Sequence, residues 1–347
     1  MQIAKPLPIN LALQGGGAHG ALSWGVLDRL LEDGRVAPAA LSGTSAGAMN
    51  AVALAQGWLD GGPDGARAAL ARFWQAVAAS VPAEASLIAA DGLAARLSPM
   101  VKLLMHWSHY LPPELSNPLD LNPLRDIVLA QFDFERLRAS AGPALFIATT
   151  RAQSGQLRLF DRANLSADAL LASACLPTMF RAVEIDGEPH WDGGYSANPP
   201  VLPLLQAGRA RDTLLLLLNP LQHEGPLRSA AQIQHRALDM SFHGAFLREM
   251  NLLAAWQQHA RQHWLPLGRS TRQLASARFH LIDGGTLLAG LPQDSRLVVH
   301  PAYFQALHEQ GRALAGDWLE RHGSQLGRRG TVELSGLFSD PCSSRSR

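Results

Sequence analysis

Two glycine-rich junctions fall within the first 50 residues, and each lies where a short apolar strand passes into a helix. Residues 9–13 read as a buried strand that runs into the sequence GGGAHG at 15–20. Residues 40–42 read as a second strand, which runs into GTSAG at 43–47. The helical spacing of apolar residues over 21–33 predicts a helix between the two motifs. This order of strand, glycine loop, helix, strand, serine turn and helix indicates an α/β fold.

The two junctions also carry complementary chemistry. A G-x-S-x-G turn projects its serine hydroxyl from a sharp strand-to-helix bend, which makes Ser45, between Gly43 and Gly47, a candidate nucleophile. A glycine-rich loop at a helix N-terminus offers backbone N–H groups to a negative charge. Each motif alone is weak, but together they indicate a serine acyl hydrolase. The candidate oxyanion-hole residues are Gly15, Gly16, Gly17, Ala18 and Gly20.

The rest of the chain fits one large catalytic unit. Strands alternate with helices along its 347 residues, 47% of them hydrophobic, which predicts a three-layer α/β/α fold with a largely parallel central sheet. We expect a catalytic core over 9–205 and a continuation of the same domain over 206–330. The polar C-terminal tail, 336–347, is expected to be disordered.

Charge and targeting signals are unremarkable. The 30 Lys and Arg balance 29 Asp and Glu, so nothing indicates a nucleic acid or another polyanionic partner. Cys175 and Cys342 lie in dissimilar surroundings, and we expect no disulfide. The N-terminus lacks the pattern of a signal peptide, and the longest strongly apolar run, 214–218, is too short to span a bilayer. These features predict a cytoplasmic protein, with peripheral contact to membranes left open.

A catalytic serine needs a proton acceptor, and the 13 histidines make a Ser-His-Asp triad easy to propose. In the chain order of an α/β-hydrolase the histidine would be His300 or His308. That fold places several strands before its nucleophile, whereas only 44 residues precede Ser45. Surface or helix-packing roles are therefore expected for both histidines.

An aspartate at the end of a strand is the other option. Asp-Gly-Gly occurs at Asp60, Asp192 and Asp283, so the tripeptide alone decides nothing. Asp60 lies in a loop typical of a turn, whereas Asp283 follows a strand and is a genuine rival. Asp192 is followed by Gly193 and Gly194 and then by a proline-rich loop that would fix its carboxylate, which favours Asp192 as the base.

Residues 81–123 read as an insert over the sheet edge. Met100, Leu104 and Trp107 belong to an apolar run within 99–112, and we consider them candidate substrate contacts. Two interpretations stay open: a lid that contacts acyl chains, or an ordinary core helix bounded by prolines. No cluster of His, Cys and Asp has the spacing of metal ligands, so neither a metal nor a cofactor is predicted.

Four segments in order resemble the patatin-like phospholipase family. They are the loop 15–20, the turn 43–47, the pair Ala172-Ser173 with Pro177 and Phe180, and Asp192-Gly193-Gly194 with Asn198 and Pro200. The resemblance covers about 9–205 and implies a patatin-like fold. It also implies a Ser45–Asp192 dyad without histidine, catalysis without metal, and hydrolysis of carboxyl esters in lipids. Where the family commonly carries Arg or Lys, this chain has His19, which leaves headgroup preference and oxyanion electrostatics open.

Three alternatives accompany this interpretation. A short-chain or polyester esterase, or an acyltransferase, would use the same dyad on a different acyl ester. A nucleotide-binding module could use the glycine loop, but residues 36–44 contain no acidic residue for a ribose. A non-catalytic member of the same fold would have no need to retain Ser45 and Asp192.

Overall fold

The computed structural model describes residues 5–108, 110–222, 226, 228–262 and 268–338. The strands in these ranges are β1 (Leu7–Leu13), β2 (Val36–Gly43), β3 (Ser86–Ile88), β4 (Ala95–Leu97), β5 (Ala144–Arg151), β6 (Leu157–Asp161), β7 (Val183–Ile185), β8 (Glu188–Asp192), β9 (Asp212–Leu217) and β10 (Arg278–Asp283). Eight of them form one sheet in the order β10-β9-β1-β2-β5-β8-β7, with β6 also paired to β5. Strands β3 and β4 form a separate pair.

The helices cover most of the remaining described chain. They are α1 (Gly20–Asp33), α2 (Ala46–Ala79), α3 (Pro99–Ser108), α4 (Pro113–Ser116), α5 (Pro123–Gln131), α6 (Phe134–Ala139), α7 (Ala167–Ser173), α8 (Leu202–Ala207), α9 (Ala230–Gln262), α10 (Arg269–Ser276), α11 (Gly285–Leu288), α12 (Pro301–His322) and α13 (Leu334–Phe338). Short 3-10 turns span Gly17–His19, Gly193–Tyr195 and Gln293–Leu297.

The central strands are parallel, as predicted. Strands β10, β9, β1, β2 and β5 pair in parallel, whereas β6, β8 and β7 add antiparallel pairings at one side. Leu13, at the end of β1, pairs with both Gly43 of β2 and Leu216 of β9. The C-terminal ends of these strands therefore share one edge, where parallel α/β sheets commonly hold their ligand sites.

Apolar side chains cover both faces of the sheet and produce three layers. One buried cluster joins the sheet to α1, α2 and α12, and the second joins it to α8, α9, α10 and α13. Strand β9 is buried along its whole length, as expected for a central parallel strand. The predicted three-layer α/β/α architecture is confirmed.

The predicted tail agrees only in part with the structure. Residues 336–338 belong to α13, and Phe338 packs in the second apolar cluster, so the expectation of disorder is wrong for these three residues. Burial of Phe338 against Phe246 of α9 explains the difference, because an apolar contact stabilises a helix that composition alone does not favour. Residues 339–347, with Cys342, lie outside the described residues. In the described part of the chain, no helix has the length and apolarity needed to cross a membrane.

Candidate active site

Ser45 occupies the sharp turn between β2 and α2. Its backbone angles, φ 54° and ψ −126°, lie in a region that non-glycine residues rarely adopt. A Cβ added to Gly47 would lie 2.2 Å from the carbonyl oxygen of Leu13, so only glycine permits this close passage. The Ser45 N–H donates to Ser173 Oγ at 3.0 Å, which helps to hold the turn. These constraints present the Ser45 side chain at the C-terminal edge of the sheet.

Asp192 ends β8 beside the serine. Its carboxylate accepts a hydrogen bond from the Gly194 N–H at 2.7 Å, and Asp192 lines the same cavity as Ser45. The Asp192 N–H donates to the Cys175 carbonyl at 2.8 Å, and its own carbonyl accepts from Thr150 Oγ1 at 2.8 Å. The backbone of Asp192 is therefore fixed by bonds to two other segments, which sets the position of its carboxylate.

The surroundings of Asp192 make its carboxylate a stronger base than an ordinary carboxylate. It is only 1% exposed, and this burial raises its pKa to about 7, although the Gly194 N–H and the neighbouring Ser45 hydroxyl favour the ionised form. A carboxylate with an ordinary pKa near 4 would accept a proton from a hydroxyl less readily. Catalytic bases operate best with a pKa near the working pH, and Asp192 meets this condition.

The glycine loop faces the serine, but not all of its predicted donors are available. Gly15 donates its N–H to Asn198 Oδ1 at 2.7 Å, and Gly20 donates to the carbonyls of Gly17 and Ala18. The N–H of Gly15 is already bonded to the Asn198 side chain, and that of Gly20 is bonded within the helical turn. The prediction that these two N–H groups belong to the oxyanion hole is therefore wrong. Within the described residues, the N–H groups of Gly16, Gly17 and Ala18 have no hydrogen-bond partner.

A buried glutamine joins the glycine loop to its neighbours. Gln14 Oε1 accepts from the N–H groups of Leu218 and Asn219 at 2.6 and 2.8 Å. Its Nε2 donates to the Asn198 carbonyl at 3.1 Å and lies 3.2 Å from His243 Nδ1. Gln14 thus ties β1, β9 and the loop after Asp192 together, a role that no sequence motif indicated.

One cavity of about 220 Å³ brings the candidate residues together. Ser45, Asp192 and the loop residues Gly15, Gly16 and Gly17 line it. The remaining walls are Leu176, Asn198, Asn219, Leu238, Asp239, Phe242, Gln293, Arg296 and Leu297. Six of these residues, from Leu238 to Leu297, belong to α9 and the 293–297 turn, beyond the segments that the sequence motifs identified.

The cavity also contains a charged pair. Arg296 Nη1 lies 2.6 Å from Asp239 Oδ1, and its Nη2 donates to Asn219 Oδ1 at 2.7 Å. His19 is not a cation here: burial and the neighbouring Arg296 lower its pKa to about 3, and its Nε2 contacts Ser295 Oγ at 2.8 Å. Arg296 is therefore a cationic side chain of this cavity that is paired with Asp239, whereas the neutral His19 does not line the cavity.

The rival bases lie elsewhere and have other partners. Asp283 accepts from the Gly285 N–H and the Thr286 hydroxyl, a turn-forming arrangement, and Asp60 pairs with Arg136. His300 caps α12 by accepting from the Ala302 N–H. His308 stacks on Trp24, with ring centroids 3.9 Å apart, and contacts Asp28. None of the four rivals lines the cavity around Ser45.

The predicted substrate contacts lie at the surface. Met100, Leu104 and Trp107 are 66%, 61% and 63% exposed, so the core interpretation is wrong for these three residues, whereas Val101 and Met105 on the same helix pack against the core. They also do not line the 220 Å³ cavity. Lys102, on the same helix, bonds to Asp294 at 2.8 Å, and Asp294 neighbours the cavity residue Gln293. Helix α3 therefore adjoins the cavity rim; His109, within the predicted apolar run, is outside the described residues.

Two further features concern the Cys175 thiol and the groups that could bind a metal. Cys175 is buried, and burial together with the Asp192 charge raises its thiol pKa to about 12. Across the described ranges, no group of three or more His, Cys, Asp and Glu is arranged to hold a metal ion.

Comparison with known proteins adds family-level information. The model of the family described as "Patatin-like phospholipase" matches residues 11–205, more than half of the chain. Among solved structures, the chain is similar to VipD from Legionella pneumophila, with 14% sequence identity and a TM-score of 0.41. That alignment covers 92% of this chain and 67% of the other. A search of curated proteins found no match.

Proposed function

This chain belongs to the patatin-like phospholipase family, whose members are lipid acyl hydrolases, and we propose that it hydrolyses carboxyl esters with Ser45 and Asp192. The observation that carries the proposal is that these two side chains lie in one cavity, close enough for Ser45 to influence the pKa of Asp192. A serine on a strained turn lies against a buried carboxylate whose pKa is about 7. This pair combines a nucleophile with a base suited to neutral pH.

In the first half-reaction, Ser45 Oγ attacks the ester carbonyl carbon while Asp192 takes the hydroxyl proton. The carbonyl oxygen becomes an oxyanion, for which the N–H groups of Gly16, Gly17 and Ala18 are candidate donors. As the intermediate collapses, the bond to the leaving alkoxide breaks. Asp192 returns its proton to that oxygen, which releases an alcohol and leaves an acyl-enzyme on Ser45.

The second half-reaction reverses these roles with water. Asp192 accepts a proton from a water molecule, whose oxygen attacks the acyl carbon of the Ser45 ester. Collapse of the second intermediate breaks the bond to Ser45 Oγ, and Asp192 donates the proton to that oxygen. The products are a free carboxylic acid and the original hydroxyl, so one water is consumed for each ester cleaved.

The apolar walls of the cavity favour a lipid ester. Leu176, Leu238, Phe242 and Leu297 line it together with the polar groups of the dyad. At about 220 Å³ it is smaller than most ligand pockets, which occupy roughly 300–1,000 Å³. It would enclose the ester and part of one acyl chain while the remainder of a lipid stays outside.

The part of the lipid outside the cavity would lie against exposed apolar residues of α3 and against Tyr110, which follows this helix. Met100, Leu103, Leu104, Trp107 and Tyr110 are each more than half exposed. An apolar patch beside a catalytic cavity is typical of a site that meets a lipid surface. We therefore propose that 99–112 contacts the lipid aggregate rather than the scissile ester.

The small cavity also favours a second candidate, a hydrolase or acyltransferase for short acyl esters. Both candidates can be compared with p-nitrophenyl esters of increasing chain length, lysophosphatidylcholine, phosphatidylcholine and monoacylglycerol. A lipid hydrolase should prefer long acyl chains, and lipid vesicles should increase its activity. Preference for acetyl or butyryl esters, with no turnover of any lipid, would favour the second candidate.

The assignment of the base has its own test. Asp192→Asn has nearly the same shape but cannot accept the Ser45 proton, so we expect the loss of kcat to be roughly 10⁴-fold. Asp283→Asn is the matched control, because it makes the same change at the end of another strand of the same sheet. Loss of activity in the control alone would assign the base to Asp283.

A further inference from the structure

A second cavity, of about 700 Å³, lies at the sheet edge opposite Ser45. Parallel strands β1, β9 and β10 begin at Leu7, Asp212 and Arg278, and these three residues line the cavity. Ser45 instead follows the C-terminal end of β2. The second cavity is therefore separate from the candidate active site, and none of the motifs described above includes it.

Arginines dominate the charge of this cavity. Arg209 and Arg211 come from the turn between α8 and β9, Arg272 from α10, and Arg278 from the start of β10. We call the surface lined by these four residues the basic cleft. Asp212 is the one acidic residue among those lining it. The whole chain has a net charge of only +1, so this concentration of positive charge is a local feature.

Asp212 does not neutralise the whole basic cleft, because its carboxylate is already engaged. It is 1% exposed, and it bonds to Arg278 Nη2 at 2.5 Å, to His280 Nε2 at 2.9 Å and to the Gly327 N–H at 3.0 Å. Within the described residues, Arg209, Arg211 and Arg272 form no ion pair. Three exposed guanidinium groups thus face one cavity without a described counter-charge.

We propose that the basic cleft binds a small soluble anion that carries at least two phosphate groups. A guanidinium group matches phosphate because its planar N–H donors can form two parallel bonds to the oxygens. Clustered like charges repel one another, and a bound anion removes that repulsion. More than one phosphate is expected because the unpaired arginines come from two different elements and the cavity has the volume of an ordinary ligand site.

A free anion fits this position better than a membrane does. The exposed apolar residues of α3 adjoin the rim of the cavity that holds Ser45, through the bond between Lys102 and Asp294. The basic cleft lies at the opposite edge of the sheet. A bilayer that contacts the apolar patch would therefore not reach these arginines.

The test is calorimetric titration of the full-length protein with sodium tripolyphosphate at constant ionic strength, with sodium sulfate as the comparison. We expect saturable binding of tripolyphosphate that is much tighter than that of sulfate. Arg209→Gln and Arg272→Gln should each weaken it roughly 10-fold, the usual effect of one charge-assisted contact. Arg96→Gln, at an exposed arginine on β4 outside the cleft, is the matched control and should bind as the wild type does.

The melting temperature of each variant shows whether it is folded. Arg209 and Arg272 lie in different elements, so if one variant misfolds, the other still tests the proposal. Vesicles of phosphatidylcholine with and without a phosphoinositide distinguish a lipid source from a soluble one. The proposal is overturned if tripolyphosphate does not bind saturably, if the control loses as much affinity as the cleft variants, or if binding occurs only on vesicles.

Discussion

Gly15 donates its backbone N–H to the side chain of Asn198 at 2.7 Å, which joins the loop before the nucleophile to the loop after the base. Asn198 is 3% exposed, and its carbonyl also accepts a hydrogen bond from Gln14. The two loops carry different parts of the proposed mechanism, the oxyanion donors and Asp192. Their relative position therefore depends on a bond between groups 183 residues apart.

Asn198→Ala should reduce catalysis without removing either member of the dyad. It leaves the buried Gly15 N–H without an acceptor, at a cost of about 1–3 kcal/mol. If that cost reaches the transition state, kcat/KM on a soluble p-nitrophenyl ester falls roughly 10- to 100-fold. Asn164→Ala, at an exposed position, is the control; equal kcat/KM in the wild type and Asn198→Ala would contradict the positioning role.

Activity should rise with pH through a value near 7. Asp192 must be ionised to accept the Ser45 proton, and burial raises its pKa to about 7. His19 and His243, whose pKa values burial lowers to about 3 and 4, stay neutral above pH 5 and should not affect this profile. A kcat/KM that is flat from pH 5 to 9 would mean that Asp192 is not the titrating base.

The same pKa shift predicts a pH-dependent stability. Because the pKa of Asp192 is higher in the folded state than in the unfolded state, folding favours its protonated form. The associated stabilisation is complete below about pH 4 and is lost as the pH rises to about 7. The side chain at this position does not titrate in Asp192→Asn. The melting temperature of this variant, measured relative to that of the wild type, should therefore be higher at pH 8 than at pH 4. The same difference at both pH values would argue against a buried, titrating carboxyl.

Leu104→Asp should weaken binding to lipid vesicles and leave the fold intact. The side chain is 61% exposed, so a charge there is not buried and the melting temperature should stay nearly unchanged. Long-chain lipid hydrolysis should fall with vesicle binding, whereas short soluble esters should still turn over. Leu252→Asp is the control, because Leu252 is 70% exposed on α9, outside the apolar patch. Equal vesicle binding by both variants and the wild type would exclude the lipid-contact role.

Catalysis should not require a metal, since the proposed steps use only the dyad and backbone donors. Hydrolysis of a soluble p-nitrophenyl ester is expected to persist after dialysis against EDTA. A soluble ester is used because calcium also alters lipid aggregates. Loss of this activity, and its recovery with added calcium, would mean that the mechanism is incomplete.

The sequence was most informative where function depends on local backbone geometry. The turn at Ser45 and the Asp-Gly-Gly segment at Asp192 could both be identified from short segments, and the alternation of strands and helices predicted the layers. The charged pair of Arg296 and Asp239 could not be predicted in this way, because its members meet only when α9 and the 293–297 turn pack against the glycine loop. The pKa of Asp192 likewise depends on burial by distant segments.

The overall composition also gave no indication of the basic cleft. Near-equal numbers of acidic and basic residues argued against a polyanionic partner, yet Arg209, Arg211 and Arg272 share one cavity. Their clustering depends on strand register and on the contact between α8 and α10, which a residue count does not contain. Conversely, the exposed residues of α3 show that an apolar run does not by itself predict a core helix.

The central claim is that Ser45 is the nucleophile, and active-site labelling tests it most directly. A fluorophosphonate probe should label the wild-type protein at one site, which peptide mass spectrometry should identify as Ser45. Ser45→Ala should remain folded, lose the label and lose ester hydrolysis by roughly 10⁴- to 10⁶-fold. Undiminished labelling or hydrolysis in Ser45→Ala would contradict the account.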